Sequence, residues 1–125
     1  MSGSILVVDD NLANARLVSY LLERKGYLVR TAIDAPDALA VLGDFMPDLI
    51  LMDIQLPGMD GLELARTLKA NPRMRHIAIV ALTAYAMKGD EERAKEAGCD
   101  GYVSKPIDTR MLPGLVADLI AKRRS

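Results

Sequence analysis

The sequence predicts a doubly wound α/β domain built on a mostly parallel sheet, and three observations predict it. Short apolar runs of β type alternate with segments of helical period along the chain. Four of those runs end on a chemically distinctive polar residue: Asp9-Asp10, Asp53, Thr83 and Lys105. At 125 residues, half of them hydrophobic, the chain matches one compact domain with a sizeable core.

The first strand is expected over about residues 4–9, where Ile5-Leu6-Val7-Val8 form an apolar run. Asn11 is placed to cap a helix whose apolar face carries Leu17, Val18 and Leu21, and Gly26 ends that helix in the left-handed conformation. Tyr27 to Ala32 reads as the second strand. Asp34 caps a second helix, with Ala38, Leu39, Val41 and Leu42 supplying its buried side ahead of Gly43. Asp48 to Asp53 is the third strand, and its unbroken apolar run suits a central position covered on both faces.

The turn-rich segment Leu56-Pro57-Gly58-Met59-Asp60-Gly61 leads into a helix from about Leu62 to Ala70. A fourth strand follows at about 77–82, then a polar helix from roughly Met87 to Ala97 closed by Gly98, and a short fifth strand at 101–104. The last helix is expected from about Asp108 to Arg124, but Pro113 conflicts with that start. A proline in a helix interior removes a backbone hydrogen bond and costs about 3 kcal/mol. The helix therefore begins nearer Met111 or has an irregular first turn, and an altered or absent dimer through it is expected. No linker, repeat or low-complexity stretch intervenes, so residues 1–125 are expected to form a single domain without an output domain.

Charge and composition exclude several function classes. With 16 basic and 17 acidic residues and a net charge of -1, the chain offers no cationic stripe for a phosphate backbone, so direct nucleic-acid binding is not expected. The cluster Lys122-Arg123-Arg124 complements the dipole at a helix C-terminus. Cys99 is the only cysteine, so no internal disulfide forms, and a reducing compartment fits. Residues 1–4 run directly into a strand and no long apolar stretch occurs, so a cytoplasmic protein without membrane insertion is expected. His76, the only histidine, falls in a polar loop beside Arg75 and reads as a surface residue.

In a parallel α/β sheet the four polar strand ends share one edge, where such folds place their ligand chemistry. Asp9, Asp10 and Asp53 would then repel one another by about 1–4 kcal/mol per pair, so a cation must join them. Oxygen-only donors suit Mg²⁺, held by Asp10 and Asp53 with Asp9 reaching it through water. A carboxylate beside such an ion is a nucleophile toward phosphorus, which makes Asp53 a candidate for an aspartyl phosphate. Lys105 would neutralise the incoming oxygens and the Thr83 hydroxyl would donate to one of them. Each residue alone has an ordinary role as a cap, turn residue or surface cation. Their common register at four strand ends carries the chemical reading.

The segments Val7-Val8-Asp9-Asp10-Asn11, Leu51-Met52-Asp53-Ile54-Gln55-Leu56-Pro57-Gly58-Met59-Asp60-Gly61, Leu82-Thr83-Ala84 and Ser104-Lys105-Pro106 resemble the receiver domain of two-component response regulators over essentially the whole chain. The stretch from Thr83 to Arg93 most resembles stand-alone receivers and receivers fused to hybrid kinases. The resemblance implies a flavodoxin-like (βα)5 fold with strand order 2-1-3-4-5. It implies that Asp53 accepts a phosphoryl group from a phosphohistidine of a histidine kinase or histidine phosphotransferase. Asp9, Asp10, Asp53 and the Gln55 backbone carbonyl would bind Mg²⁺ or Mn²⁺, Lys105 would bind phosphate, and Thr83 and Tyr102 would form a switch pair. The Lys105-Pro106 bond would be cis.

The resemblance further implies a phosphorylation-controlled switch or phosphorelay carrier rather than an enzyme with independent turnover. Its output surface, toward a downstream protein, would be the fourth helix, fifth strand and fifth helix, and the chain would be a monomer or weak dimer. Three alternatives stand beside this reading. A Mg²⁺-dependent phosphatase would want a second acid where Gln55 stands. A phosphorylation-indifferent docking module or a flavin binder could use the same fold, and the chain could be the receiver portion of a larger hybrid kinase or multi-domain regulator.

Overall fold

Strands and helices alternate along the chain in a computed structural model that describes residues 3–56, 58, 60–83 and 89–124, the side chains of 123 and 124 excepted. The strands are β1 (Ser4–Val8), β2 (Leu28–Ala32), β3 (Leu49–Asp53), β4 (Ala78–Thr83) and β5 (Gly101–Ser104). The helices are α1 (Leu12–Glu23), α2 (Ala35–Leu42), α3 (Gly61–Ala70), α4 (Asp90–Glu96) and α5 (Leu112–Arg124). All strand pairs are parallel and the sheet order is β2-β1-β3-β4-β5, the flavodoxin-like arrangement. Successive strands run outward in one direction from β1 and in the other from β3. The switch point therefore lies between β1 and β3, beside the ends that carry Asp9 and Asp53.

Side-chain alternation divides the core into two layers. Leu6, Val8, Ile50, Met52, Ile79 and Ala81 face α2, α3 and α4, while Ile5, Val7, Leu49, Leu51, Val80 and Leu82 face α1 and α5. Every residue of β3 is buried, as its unbroken apolar run predicts. β2 is an edge strand in which only Ala32 is fully buried.

Local signals explain most of the boundaries. Asn11 and Asp34 are the N-caps of α1 and α2 and accept the N–H groups of Asn14 at 3.0 Å and Asp37 at 2.9 Å. Asp60 caps α3 in the same way through Leu62 N–H at 2.9 Å. Gly26 and Gly98 adopt the left-handed backbone that ends α1 and α4, at φ 95° and 98°.

Two expectations need correction, and the start of the last helix falls beside Met111, as Pro113 requires. The buried face of α1 consists of Ala15, Val18 and Leu22, while Leu17 is exposed and Leu21 only half-buried. The small Ala15 lets this face approach the sheet closely, and Leu17, about 100° around the helix from Val18, turns outward. In α2 the buried residues are Ala35, Ala38 and Leu42, and Leu39 points to solvent. The last helix begins at Leu112 rather than Asp108. The Asp108 carbonyl accepts from the N–H groups of both Met111 and Leu112 in a preceding turn, at 3.1 Å each. Pro113 thus falls in the first helical turn, where backbone N–H groups have no intrahelical partner to lose.

The expected start of the fourth helix at Met87 lies outside the described residues; the described helix begins at Asp90. His76 is exposed, as expected. Among the described residues, no helix is long and apolar enough to cross a membrane.

Candidate functional site

The four polar strand ends meet at the carboxyl edge of the sheet. Asp9 follows β1 directly and is 1% exposed; its N–H bonds the Ala32 carbonyl at the end of β2, at 3.0 Å. Its Oδ1 accepts the Asn11 N–H at 2.9 Å, and its Oδ2 accepts the side-chain amide of Asn14 and pairs with Lys105 Nζ at 3.2 Å. Asp53 ends β3 and is also buried. Its Oδ1 accepts the Gln55 N–H at 2.8 Å, a local turn that fixes the carboxylate plane, and its Oδ2 pairs with Lys105 Nζ at 2.9 Å. Asp10 is exposed at the rim and makes no side-chain hydrogen bond or ion pair among the described residues.

Lys105 reaches this position because its own N–H bonds the carbonyl of Thr83 at 2.7 Å, which ties the loop after β5 to the end of β4. The Lys105-Pro106 peptide is cis. Thr83 is fully buried at the end of β4, and the Tyr102 side chain on the neighbouring strand is near enough to sense it electrostatically. Register explains the contact: Ala81 pairs with Tyr102 and Thr83 with Ser104, so Tyr102 lies one pleat below Thr83 on the same face. Gln55 is exposed in the loop after β3 and bridges to Asp60. Ala84 and the rest of 84–88, with Pro57 and Met59, lie outside the described residues.

Two residues that sequence reasoning passed over help build the site. A Cβ at Gly61 would stand 2.4 Å from the Asp53 carbonyl oxygen and 2.7 Å from Ile54 Cα, so only glycine allows α3 to start against the end of β3. Its N–H bonds the Ile54 carbonyl at 3.0 Å and pins the loop that follows Asp53. Asn14, the third residue of α1, is the other, through its bond to Asp9. A polar amide there, where glutamate or glutamine is the usual choice, was the available signal.

The electrostatics follow from burial and pairing. Burial works against the Lys105 ammonium, but its bonds to Asp53 and Asp9 outweigh that penalty and hold its pKa above the ordinary lysine value. Burial and the charge of Asp90 raise the Tyr102 phenol, against a smaller opposing contribution from the neighbouring Thr83. Tyr102 is therefore neutral at physiological pH.

Asp9, Asp10 and Asp53 each present a carboxylate oxygen within 4.8 Å of the other two. Three carboxylates against one ammonium leave two negative charges in excess. An all-oxygen donor set of this size, one carboxylate exposed and two buried, fits a small hard dication such as Mg²⁺.

Comparison with known proteins agrees with this arrangement. Residues 5–117 match the response regulator receiver domain. The chain belongs to that family. It is 47% identical over 107 residues to the polar-differentiation response regulator DivK of Brucella ovis and of Brucella suis, covering 86% of this chain and 87% of each relative. Among solved structures, a CheY-like receiver domain protein from Methanospirillum hungatei superposes with a TM-score of 0.91 at 29% identity, over 99% of this chain and 98% of that one. The signal receiver domain of a histidine kinase from Syntrophus aciditrophicus gives 0.88 at 33% identity, over 96% and 91%. Receivers thus share the whole path of this chain from β1 into α5.

Proposed function

We propose that this receiver accepts a phosphoryl group on Asp53 from a phosphohistidine of a histidine kinase or histidine phosphotransferase, and works as a phosphorylation-controlled interaction switch or phosphorelay carrier. One observation carries the reading: Asp53 is a buried carboxylate locked between the Gln55 N–H and the Lys105 ammonium, inside a cluster with two excess negative charges. An Asp53 carboxylate oxygen attacks phosphorus through a remaining lone pair, the P–N bond breaks, and the departing imidazole nitrogen takes up a proton. Lys105 Nζ, already shared between Asp53 and Asp9, follows the new charge onto the phosphoryl oxygens. A Mg²⁺ or Mn²⁺ ion held by Asp9, Asp10, Asp53 and the Gln55 carbonyl would neutralise the entering oxygens.

The switch begins at Thr83. Its side chain neighbours Tyr102, and a phosphoryl group on Asp53 offers its hydroxyl a strong, charged acceptor. Movement of Thr83 toward that acceptor frees space for Tyr102, which borders a largely apolar groove of about 380 Å³ that includes Val103, Ile107, Met111 and Leu115. The surface of α4, β5 and α5 is accordingly the output face toward a downstream protein. Phosphorylation moves a balance between two conformations that both exist beforehand.

The chain catalyses its own phosphorylation and dephosphorylation without turnover of an independent substrate. It acts as a stand-alone cytoplasmic carrier, monomeric or weakly dimeric, with Pro113 shaping the start of α5 against a tight dimer there. The decisive experiment incubates the protein with Mg²⁺ and acetyl phosphate and measures intact mass. One added phosphoryl group is expected, absent in Asp53→Asn; no added mass, or a label on another residue, overturns the reading. Sedimentation with and without a phosphoryl mimic tests the oligomeric state, and a tight phosphorylation-dependent dimer through α5 counts against it.

A further inference from the structure

We infer that Asn14 is a positioning residue for the metal site, orienting Asp9 through its side-chain amide. This rests on the reading of Asp9, Asp10 and Asp53 as the cation site. The inference starts from hydrogen-bond accounting at the start of α1. In a capping box, the side chain of the third helical residue reaches back to the N–H of the N-cap. Here that N–H, on Asn11, is already taken by Asp9 Oδ1 at 2.9 Å. Asn11 still caps the helix in the forward direction, through Asn14 N–H at 3.0 Å. The Asn14 amide is therefore released from helix capping, and it donates instead to Asp9 Oδ2.

The consequence is a carboxylate held at both oxygens by the same helix end. Asp9 Oδ1 is fixed by the main chain of α1 and Oδ2 by a side chain one turn later, with Lys105 as the third partner. A carboxylate accepts and cannot donate, so the amide nitrogen is the atom that faces it. Without Asn14, Asp9 Oδ2 would be left to Lys105 alone, and that ammonium also has Asp53 to serve. Asn14 thus keeps Asp9 turned toward the cluster and spares Lys105 for Asp53. Groups that orient a metal's immediate ligands in this manner change affinity by about 10–100-fold when removed.

The test is a calorimetric titration of the full chain with MgCl₂. Asn14→Leu, which keeps a helix-forming side chain of similar size without the donor, is expected to weaken Mg²⁺ binding about tenfold. Asn14→Gln retains an amide and is expected to recover most of that loss. The metal-free Asn14→Leu chain still unfolds in a single cooperative transition, so the lost affinity is not a lost fold. With acetyl phosphate, the variant reaches the wild-type rate at saturating Mg²⁺, but its half-saturating Mg²⁺ concentration rises by the same factor. Unchanged affinity in Asn14→Leu, or an equal loss in Asn14→Gln, overturns the inference. A wild-type chain with no Mg²⁺ affinity fails differently, because it removes the functional reading on which the inference stands.

Discussion

The sheet carries a lysine against carboxylate at each of its two ends, and the contrast between them separates scaffold from site. At the amino edge Lys69 pairs with Asp100 at 3.1 Å and donates to the carbonyls of Ile77 and Arg75 at 2.7 and 3.2 Å. Asp100 accepts the Ile79 N–H as well, at 2.9 Å. One cation meets one anion there, and the three donors of the ammonium all find acceptors. At the carboxyl edge Lys105 pairs with two of three clustered carboxylates, and the third, Asp10, has no partner among the described residues. An ion pair by itself therefore says little about function. Two buried carboxylates clustered with a third, and with a single ammonium among them, point instead to a ligand that neutralises the excess.

The largest effect that could break this contrast is on phosphorylation. Asp53→Asn removes all added phosphoryl mass, whereas Lys69→Met, which dismantles the pair at the other end, leaves the labelling rate within about twofold of wild type. A loss in Lys69→Met would show that the two ends are coupled.

Mg²⁺ should distinguish the ends next. At about 100 times its dissociation constant, a ligand of the native state alone stabilises it by about 2.7 kcal/mol. Denaturant unfolding is expected to show that gain in wild type and in Lys69→Met, and less than a third of it in Asp10→Asn.

Without metal the two ends should respond in opposite directions. Lys69→Met strands two carbonyls and a carboxylate and is expected to destabilise by about 1–3 kcal/mol. Asp10→Asn relieves like-charge repulsion at an exposed position and is expected to stabilise by up to about 1 kcal/mol. A destabilised Asp10→Asn in EDTA would contradict the idea of stored repulsion.

The smallest effect is on pH dependence. Because Asp53 and Asp9 hold the Lys105 pKa above the ordinary value of about 10.4, its pairing contributes fully below that pH and is lost as pH rises through the folded value. The stability advantage of wild type over Lys105→Met should therefore be present at pH 9 and shrink only as pH rises beyond the ordinary lysine range. An advantage that grows with alkali would reverse the sign of the argued interaction.

Much of this was legible in the chain because its signals are local. The unbroken run Leu49-Ile50-Leu51-Met52 marks a strand covered on both faces, and Asn11, Asp34, Gly26 and Gly98 punctuate helices through hydrogen bonds and backbone angles within a few residues. Asp9, Asp10, Asp53, Thr83 and Lys105 were found by their position at strand ends, which parallel topology brings to one edge. Less legible were choices between neighbouring apolar residues. Leu17 and Leu39 share the hydrophobicity of Val18 and Leu42, and only the fit of a helix against a particular stretch of sheet decides which of them is buried.

By itself, then, the sequence determined the alternation of elements, the single sheet and the family to which the chain belongs, since each follows from periodicity or from motifs read in order. Only the tertiary structure decided that Lys105 divides its ammonium between Asp9 and Asp53, that Thr83 stands beside Tyr102, that Gly61 presses on the Asp53 carbonyl and that Asn14 turns from its helix to Asp9. The physical reason is distance along the chain. Lys105 and Asp53 are 52 residues apart, and a contact at that separation exists only once the sheet has fixed which strand lies beside which.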